Sequence, residues 1–445
     1  MRGGARLFCA MTAKPLPGFR DFPPVDFALR AHIFAAWRRV ATRYGFEEYD
    51  GPPLETLELY TAKSGDEIVG QLYNFVDKGD RAVALRPEMT PTLARMVAER
   101  ANGLKKPIRW FSIPQLFRYE RQQRGRLREH FQLNCDLIGE AGPLADAEII
   151  ALAIDVMREF GLDSADVKVR LSDRRALTAL LRARGVSDAG MYAAYQFIDK
   201  LERMSPEEIE KRRAVPQAYA PATPDDLIAI ASLRGLEKVE AAVMGLAGGS
   251  EPVAPLRATV DALTAMGLGD WIEIDFTIVR GIAYYTGTVF ELFDAGRSLR
   301  AICGGGRYDT LLKNLGDVDL PALGFGMGDV VLGELLKDRG LRPTPPPPID
   351  LFLVGVTPED QPHLLGLAHE LRDAGLRLEY VFGEAAVGRQ LKLADARGAR
   401  LAIVMGPDDR ARGEVQLKDL VGKTQEAVAR EALPARCRDL LFRMP

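Results

Sequence analysis

The run Arg342-Pro-Thr-Pro-Pro-Pro-Pro-Ile349 restricts the folding of this chain more than any other feature. Proline lacks a backbone donor and fixes φ, so such a run stiffens into an extended spacer and joins modules instead of lying inside one. A chain of 445 residues needs that division, because single hydrophobic cores stop growing at roughly 250–300 residues. After the run, strands expected at 349–356, 378–382 and 401–405 alternate with helices at 358–374 and 386–397, stopped by Gly375 and Gly398. A shorter strand near 415–418 and a terminal helix complete an α/β module over 349–445. Before the run, a helix is expected at 27–44, then mostly strands to 137 interrupted by a helix at 90–102, and a long helix at 145–160. The block 164–269 is rich in Ala, Leu, Arg and Glu and contains Met204-Ser-Pro-Glu-Glu-Ile-Glu, a capped helix start, so it is expected to be a helical insertion. Strands return at 272–276, 288–292 and 298–303, with a helix at 329–337. The expected architecture is an α+β domain, an antiparallel sheet with helices, over 1–163 and 270–342. The insertion at 164–269 interrupts it, and the linker 343–348 ties it to the α/β module.

Composition removes several function classes. Formal net charge is −3, so contact with nucleic acid must come from local basic patches. Cys9, Cys135, Cys303 and Cys437 lie far apart with no CxxC pairing, which argues against a disulfide framework or zinc knuckle and for a reducing compartment. Of the scattered histidines only His363 and His369 are near neighbours, and their spacing does not share a helix face well enough to bind metal. No apolar run approaches the roughly 20 residues of a membrane span. Residues 1–13 lack the apolar region of a secretory signal, and Met11 is an alternative start. These features point to a soluble, cytoplasmic protein with no membrane partner.

The densest chemistry lies in 118–136. Arg118, Arg121, Arg124, Arg126 and Arg128 crowd around Gly125, and such guanidinium groups repel one another unless an anion neutralises them. A solvated charged hairpin is the plainer explanation. Against it stand Trp110, Phe111, Ile113, Leu116 and Phe117 before the run and Phe131, Leu133 and Leu137 after it, two apolar strands that would hold a phosphate-binding loop rigid.

Leu85-Arg-Pro-Glu-Met-Thr-Pro91, Phe117-Arg-Tyr-Glu-Arg121 through Gln132, Val279-Arg-Gly-Ile-Ala-Tyr-Tyr-Thr-Gly287, Gly304-Gly-Gly-Arg-Tyr-Asp309 and Leu323-Gly-Phe-Gly-Met-Gly328 resemble, in order and spacing, the motifs of histidyl-tRNA synthetases, class II aminoacyl-tRNA synthetases. The resemblance covers nearly the whole chain. It implies ATP-dependent joining of histidine to histidine tRNA by a homodimer, with Mg2+ accompanying ATP, no metal motif of the protein's own, and an anticodon-binding-like domain at 349–445. Pro52-Pro-Leu-Glu55 stands for the family's dimer-interface motif.

The resemblance also implies roles. Arg118 and Arg280 are the catalytic cations: Arg118 clamps the α-phosphate and the substrate carboxylate, and Arg280 takes a place that other class II synthetases give to a metal. Glu120 lies on the adenine side and Arg126 at the nucleotide phosphates. Glu88, Met89, Thr90, Gln132, Asp136, Tyr284 and Tyr285, with Arg118 and Arg280, are implied to bind histidine. Gln122, Gln123 and Arg124 form a tip that meets the tRNA acceptor end. Plainer roles remain open: Arg118 could pair with Glu120 or Glu129, Glu88 could cap the helix near Thr90, and one of the two tyrosines could be core. Asp136 is shorter than the family's usual glutamate.

The chain departs from the pattern at one functional point. Motif 3 of the family closes Gly-x-Glu-Arg with the arginine against ATP, whereas here Gly328 is followed by Asp329 and Val330. Ala283 replaces the acidic residue before the tyrosine pair. A divergent branch of synthetases resembles this chain in both respects. The rival readings are a regulatory subunit of ATP-phosphoribosyltransferase and an RNA-sensing pseudo-enzyme.

Overall fold

The computed structural model describes residues 14–64, 70–120, 125–246, 248–279, 285–296, 298–345 and 347–442. It forms two compact units, Met1–Pro343 and Thr344–Pro445. In the first, a nine-stranded sheet contains β1 (Glu47–Glu48), β5 (Ile108–Ser112), β6 (Gln115–Phe117), β7 (Glu129–Ile138), β8 (Val167–Asp173), β9 (Ile272–Ile274), β10 (Thr288–Asp294), β11 (Cys303–Arg307) and β12 (Ala322–Gly328). Its order is β1-β5-β7-β12-β11-β10-β8-β9, with β6 paired to β7 alone. The centre is antiparallel, and the outer pairs β1–β5 and β8–β9 are parallel, so the sheet is mixed. A small sheet, β2 (Leu54–Thr56), β4 (Ala82–Leu85) and β3 (Asn74–Val76), stands apart from it.

Helices Pro24–Arg43 and Pro143–Glu159 supply much of the core, which includes Trp37, Val40, Ile149, Ile150, Ile154 and Met157 with Leu133 and Cys135 of β7. Helix Pro143–Glu159 is apolar along nearly its whole length, which is why it is buried rather than surface-bound. The block 164–269 is not wholly helical. It opens on β8, which pairs with β10 and β9 inside the sheet, and only then continues as helices from Arg174 to Ala265. The strand expected at 298–303 is displaced: β11 is Cys303–Arg307.

The second unit is a five-stranded sheet, β14 (Leu378–Tyr380), β13 (Leu351–Gly355), β15 (Leu401–Met405), β16 (Glu414–Asp419) and β17 (Thr424–Ala429), in that spatial order. The first three are parallel and the last two antiparallel. Helices Gln361–Asp373 and Val387–Ala396 are the crossovers that parallel strands require. Among the described residues no helix is long and apolar enough to cross a membrane. Cys135, Cys303 and Cys437 are buried and unbridged.

Candidate active site

Side chains alternate across a strand, so register decides which residues share a face. Glu291 of β10, Gly304 of β11, Gly326 of β12 and Asn134 of β7 lie in one cross-sheet row. Val289, Gly306, Gly324 and Asp136 form the next. The middle of this face is therefore bare backbone. A cleft of about 600 Å³ opens on it, lined by Arg118, Glu120, Arg126, His130, Gln132 and Arg300, among others. Gly326 makes room for Gln132, since a Cβ there would fall 2.7 Å from the Gln132 amide carbon and nitrogen.

The arginine-bearing segment is held at both legs. β6 pairs with β7, and the Arg118 amide donates to the Arg128 carbonyl at 2.9 Å. Arg118 Nε donates to the Pro87 carbonyl at 3.0 Å, fixing the guanidinium beside Glu88. Arg126 pairs with Glu120. Despite that pair, the Arg126 pKa is held below its ordinary value, first by burial and then by the like charges of Arg300, Arg118 and Arg203. Glu129 is taken by Arg20 at 2.7 Å and by Gln115 at 2.9 Å. Arg121, Gln122, Gln123, Arg124, Arg280 and Tyr284 lie outside the described residues.

A second polar group sits on the same face, one row along from Gly304 and Gly326. Asp136 is buried and accepts a hydrogen bond from the Tyr308 hydroxyl. Burial pushes its carboxyl up to about 7, only partly offset by that bond. Tyr285 is buried with its ring against Gly306, where a Cβ would meet it at 2.9 Å. His130 is held neutral: burial, then Arg118 and Arg20, bring its pKa down to about 3. Glu88 and Thr90 stand at the start of helix Thr90–Arg100, whose N-cap is Met89 without a side-chain capping bond. Met89 is fully buried, with its sulfur 3.9 Å from Arg86 Nη1. Glu55 accepts from Arg95 at 2.8 Å and Thr92 at 3.2 Å and is thus more than a surface charge.

The departure at motif 3 has a structural content. Asp329 is buried, accepts from the Phe131 amide at 2.9 Å and pairs with Arg20 at 2.9 Å, pinning helix Asp329–Asp338 to β7. Arg307, at the end of the glycine motif, is 1% exposed. It donates to Asp146 at 2.7 Å and to the Glu140 carbonyl at 2.9 Å, so it staples β11 to helix Pro143–Glu159. On the far wall, buried Arg170 holds Asp275, Thr277 and Glu202, bringing Glu202 and Arg203 to the cleft. Arg174 donates to the Val279 carbonyl at 3.0 Å, directly before residue 280. Arg300, Glu291, His130, Asp199, Glu202 and Arg203 were not expected as lining residues. Strand alternation in β10 could have exposed Glu291, but nothing in the local sequence singles out Arg300.

The family model described as histidyl-tRNA synthetase matches residues 18–328. The chain belongs to the histidyl-tRNA synthetase family. A second model, described as an anticodon binding domain, matches 350–440. A histidine–tRNA ligase from Opitutus terrae is 45% identical over 434 residues, covering 96% of this chain and 98% of the relative. A chloroplastic/mitochondrial histidine–tRNA ligase from Arabidopsis thaliana is 39% identical, covering 91% of this chain and 83% of the relative. The crystal structure of histidyl-tRNA synthetase from Nostoc sp. superposes with a TM-score of 0.78 at 26% identity, covering 96% of this chain and 99% of that one. Synthetases of this family use ATP.

Proposed function

We propose that this chain is an ATP-dependent histidine–tRNA ligase. The observation that carries the reading is the cleft itself. Arg118, Arg126 and Gln132 line it together with Gly304 and Gly326, in a chain similar over nearly its full length to histidine–tRNA ligases. In the first step a carboxylate oxygen of histidine attacks the α-phosphorus of ATP. The bond from that phosphorus to the bridging oxygen breaks, pyrophosphate leaves, and histidyl-adenylate remains. Both reactants are anions, so positioning and charge neutralisation are the main catalytic tasks. Arg118, anchored on the Pro87 carbonyl, is aimed to bring the carboxylate and α-phosphate together. Arg126 takes nucleotide phosphate and Glu120 the adenine side. Arg280 adds a second cation at the α-phosphate, delivered by a segment that Arg174 holds at Val279. In the second step a 3′-terminal ribose hydroxyl of histidine tRNA attacks the acyl carbon. AMP leaves, and the hydroxyl proton passes to solvent.

Histidine recognition is assigned to Gln132 on the floor, to Asp136, Tyr284 and Tyr285, and to Glu88, Met89 and Thr90. Among the described residues no group of three or more His, Cys, Asp or Glu could hold a metal ion. Magnesium keeps several waters and reaches such sites on phosphates, so we assign it to the ATP rather than to a protein cage. Gln122, Gln123 and Arg124 meet the acceptor end. The assembly is a homodimer in the cytoplasm, with 1–163 and 270–342 catalytic, 164–269 inserted and 349–445 reading the anticodon. The regulatory-subunit and pseudo-enzyme readings are disfavoured by near-complete coverage of a histidine–tRNA ligase. Histidine-dependent ATP–pyrophosphate exchange tests the proposal. Purified protein should exchange, and Arg280→Ala should abolish exchange with histidine affinity kept within about tenfold, roughly 1.4 kcal/mol. Histidine binding without exchange by the parent protein would overturn it.

A further inference from the structure

Two arginines line the cleft beyond those with assigned roles, Arg203 and Arg300. Arg300 lies on the segment leading into β11, exposed, with the cleft-lining residues Ala301, Ile302, Cys303 and Gly304 directly after it. Its stem packs at the turn of the arginine-rich loop. Gly125 has φ +74°, and a Cβ placed there would lie 3.8 Å from Arg300 Cδ and 3.3 Å from Val331 Cγ2. Three elements thus meet at one point of the rim: the loop, the start of helix Asp329–Asp338, and the segment bearing Arg300. Among the cations that repel Arg126, Arg300 contributes most, ahead of Arg118 and Arg203. Guanidinium groups gathered at an open rim suit a phosphate anion, alongside the carboxylates Glu120, Asp199, Glu202 and Glu291 that share the cleft.

The first turn of the helix that borders this point offers no cation. It carries Asp329, Val330 and Val331, and Asp329 is committed to Arg20 and the Phe131 amide. Counted from Gly328, the pattern Gly-x-Glu-Arg places Val331 where an arginine would stand, and the stem of Arg300 converges with Val331 on Gly125. The two cations also sit at different depths: Arg118 is half-buried on Pro87, Arg300 exposed at the rim.

We propose that Arg300 is a further phosphate-binding residue of the site, gripping the outer phosphates of ATP and the departing pyrophosphate from the cleft rim. It replaces from a neighbouring loop the cation missing from the first turn of the helix. Arg118 and Arg280 serve the α-phosphate, and Arg300 the end that leaves. The inference rests on the ligase reading above.

The test is ATP–pyrophosphate exchange by the full chain carrying Arg300→Ala, with Arg300→Lys beside it. Arg300→Ala should raise KM for ATP and for pyrophosphate at least tenfold and leave KM for histidine within twofold. Arg300→Lys should recover part of the loss, because lysine keeps the charge without the planar fork. ATP and pyrophosphate KM values within twofold of the parent would overturn the assignment. So would an equal rise in the histidine KM, which signals a distorted cleft. If the parent protein shows no histidine-dependent exchange, the ligase reading falls instead. Arg300 is then judged by calorimetric ATP binding, which Arg300→Ala must still weaken tenfold.

Discussion

Asp136→Asn should remove a pH-dependent cost from the fold. The carboxyl is buried, with one hydrogen bond from Tyr308, and its pKa rises from the ordinary 3.8 to about 7. Between those values the folded chain holds a proton that the unfolded chain has released. Stability therefore falls as pH rises through this window, at up to about 1.4 kcal/mol per pH unit, and the loss is complete above the folded pKa. Over the window the loss amounts to about 4 kcal/mol. Asparagine keeps the size and an acceptor for Tyr308 but has no charge to desolvate. The assay is urea unfolding of both proteins at several pH values, followed by tryptophan fluorescence. All three tryptophans, Trp37, Trp110 and Trp271, lie in the first unit, so the signal reports the unit that carries Asp136. Other titrating groups cancel in the difference between the two proteins. The stability of the variant relative to the parent should climb by about 4 kcal/mol from pH 4 to pH 7.5 and then level off. A difference that stays constant with pH would mean that the carboxylate is ionised throughout, and the burial argument would be wrong.

Two further substitutions probe the supports of the site. Asp329→Ala strips Arg20 of one carboxylate and leaves the Phe131 amide unpaired, so fluorescence-monitored stability should fall by about 3 kcal/mol; a loss below about 1 kcal/mol would show that Glu129 alone satisfies Arg20. Gly326→Ala drives a methyl group into Gln132, the end of a flexible side chain, so the fold should survive while the histidine KM rises about tenfold and the ATP KM holds. An unchanged histidine KM would remove Gln132 from the pocket.

What could be read from sequence follows the physics of each segment. Apolar spacing anticipated helix Pro24–Arg43, and the proline run anticipated the α/β unit after it. The arginine loop was legible because apolar strands flank it on both sides. β8 was missed although Val167-Lys-Val-Arg-Leu alternates as a strand should, because the helical composition around it dominated a wider window. β11 was placed too early because glycine has low strand propensity. What holds Cys303–Arg307 in the sheet is pairing on both edges, not its side chains. β17 escaped notice as a largely exposed strand paired on one side only. At the site, motifs reveal residues that act from their own strand. Arg300 acts from a connection, and Arg20 reaches β7 and helix Asp329–Asp338 from far along the chain. Such partners are set by tertiary packing and leave no local trace.

The glycine rows of β11 and β12 have a consequence for how the molecule coheres. In an ordinary sheet the layer above the strands is made of the protein's own side chains. Here Gly304 and Gly326 leave a gap in that layer, walled by arginines and carboxylates, while Tyr285 covers Gly306 and Asp136 covers Gly324. On the ligase reading proposed above, substrate and nucleotide are the removable part of the packing, a keystone set from outside. Occupancy and cohesion become one quantity, because whatever binds only the folded chain stabilises it by mass action.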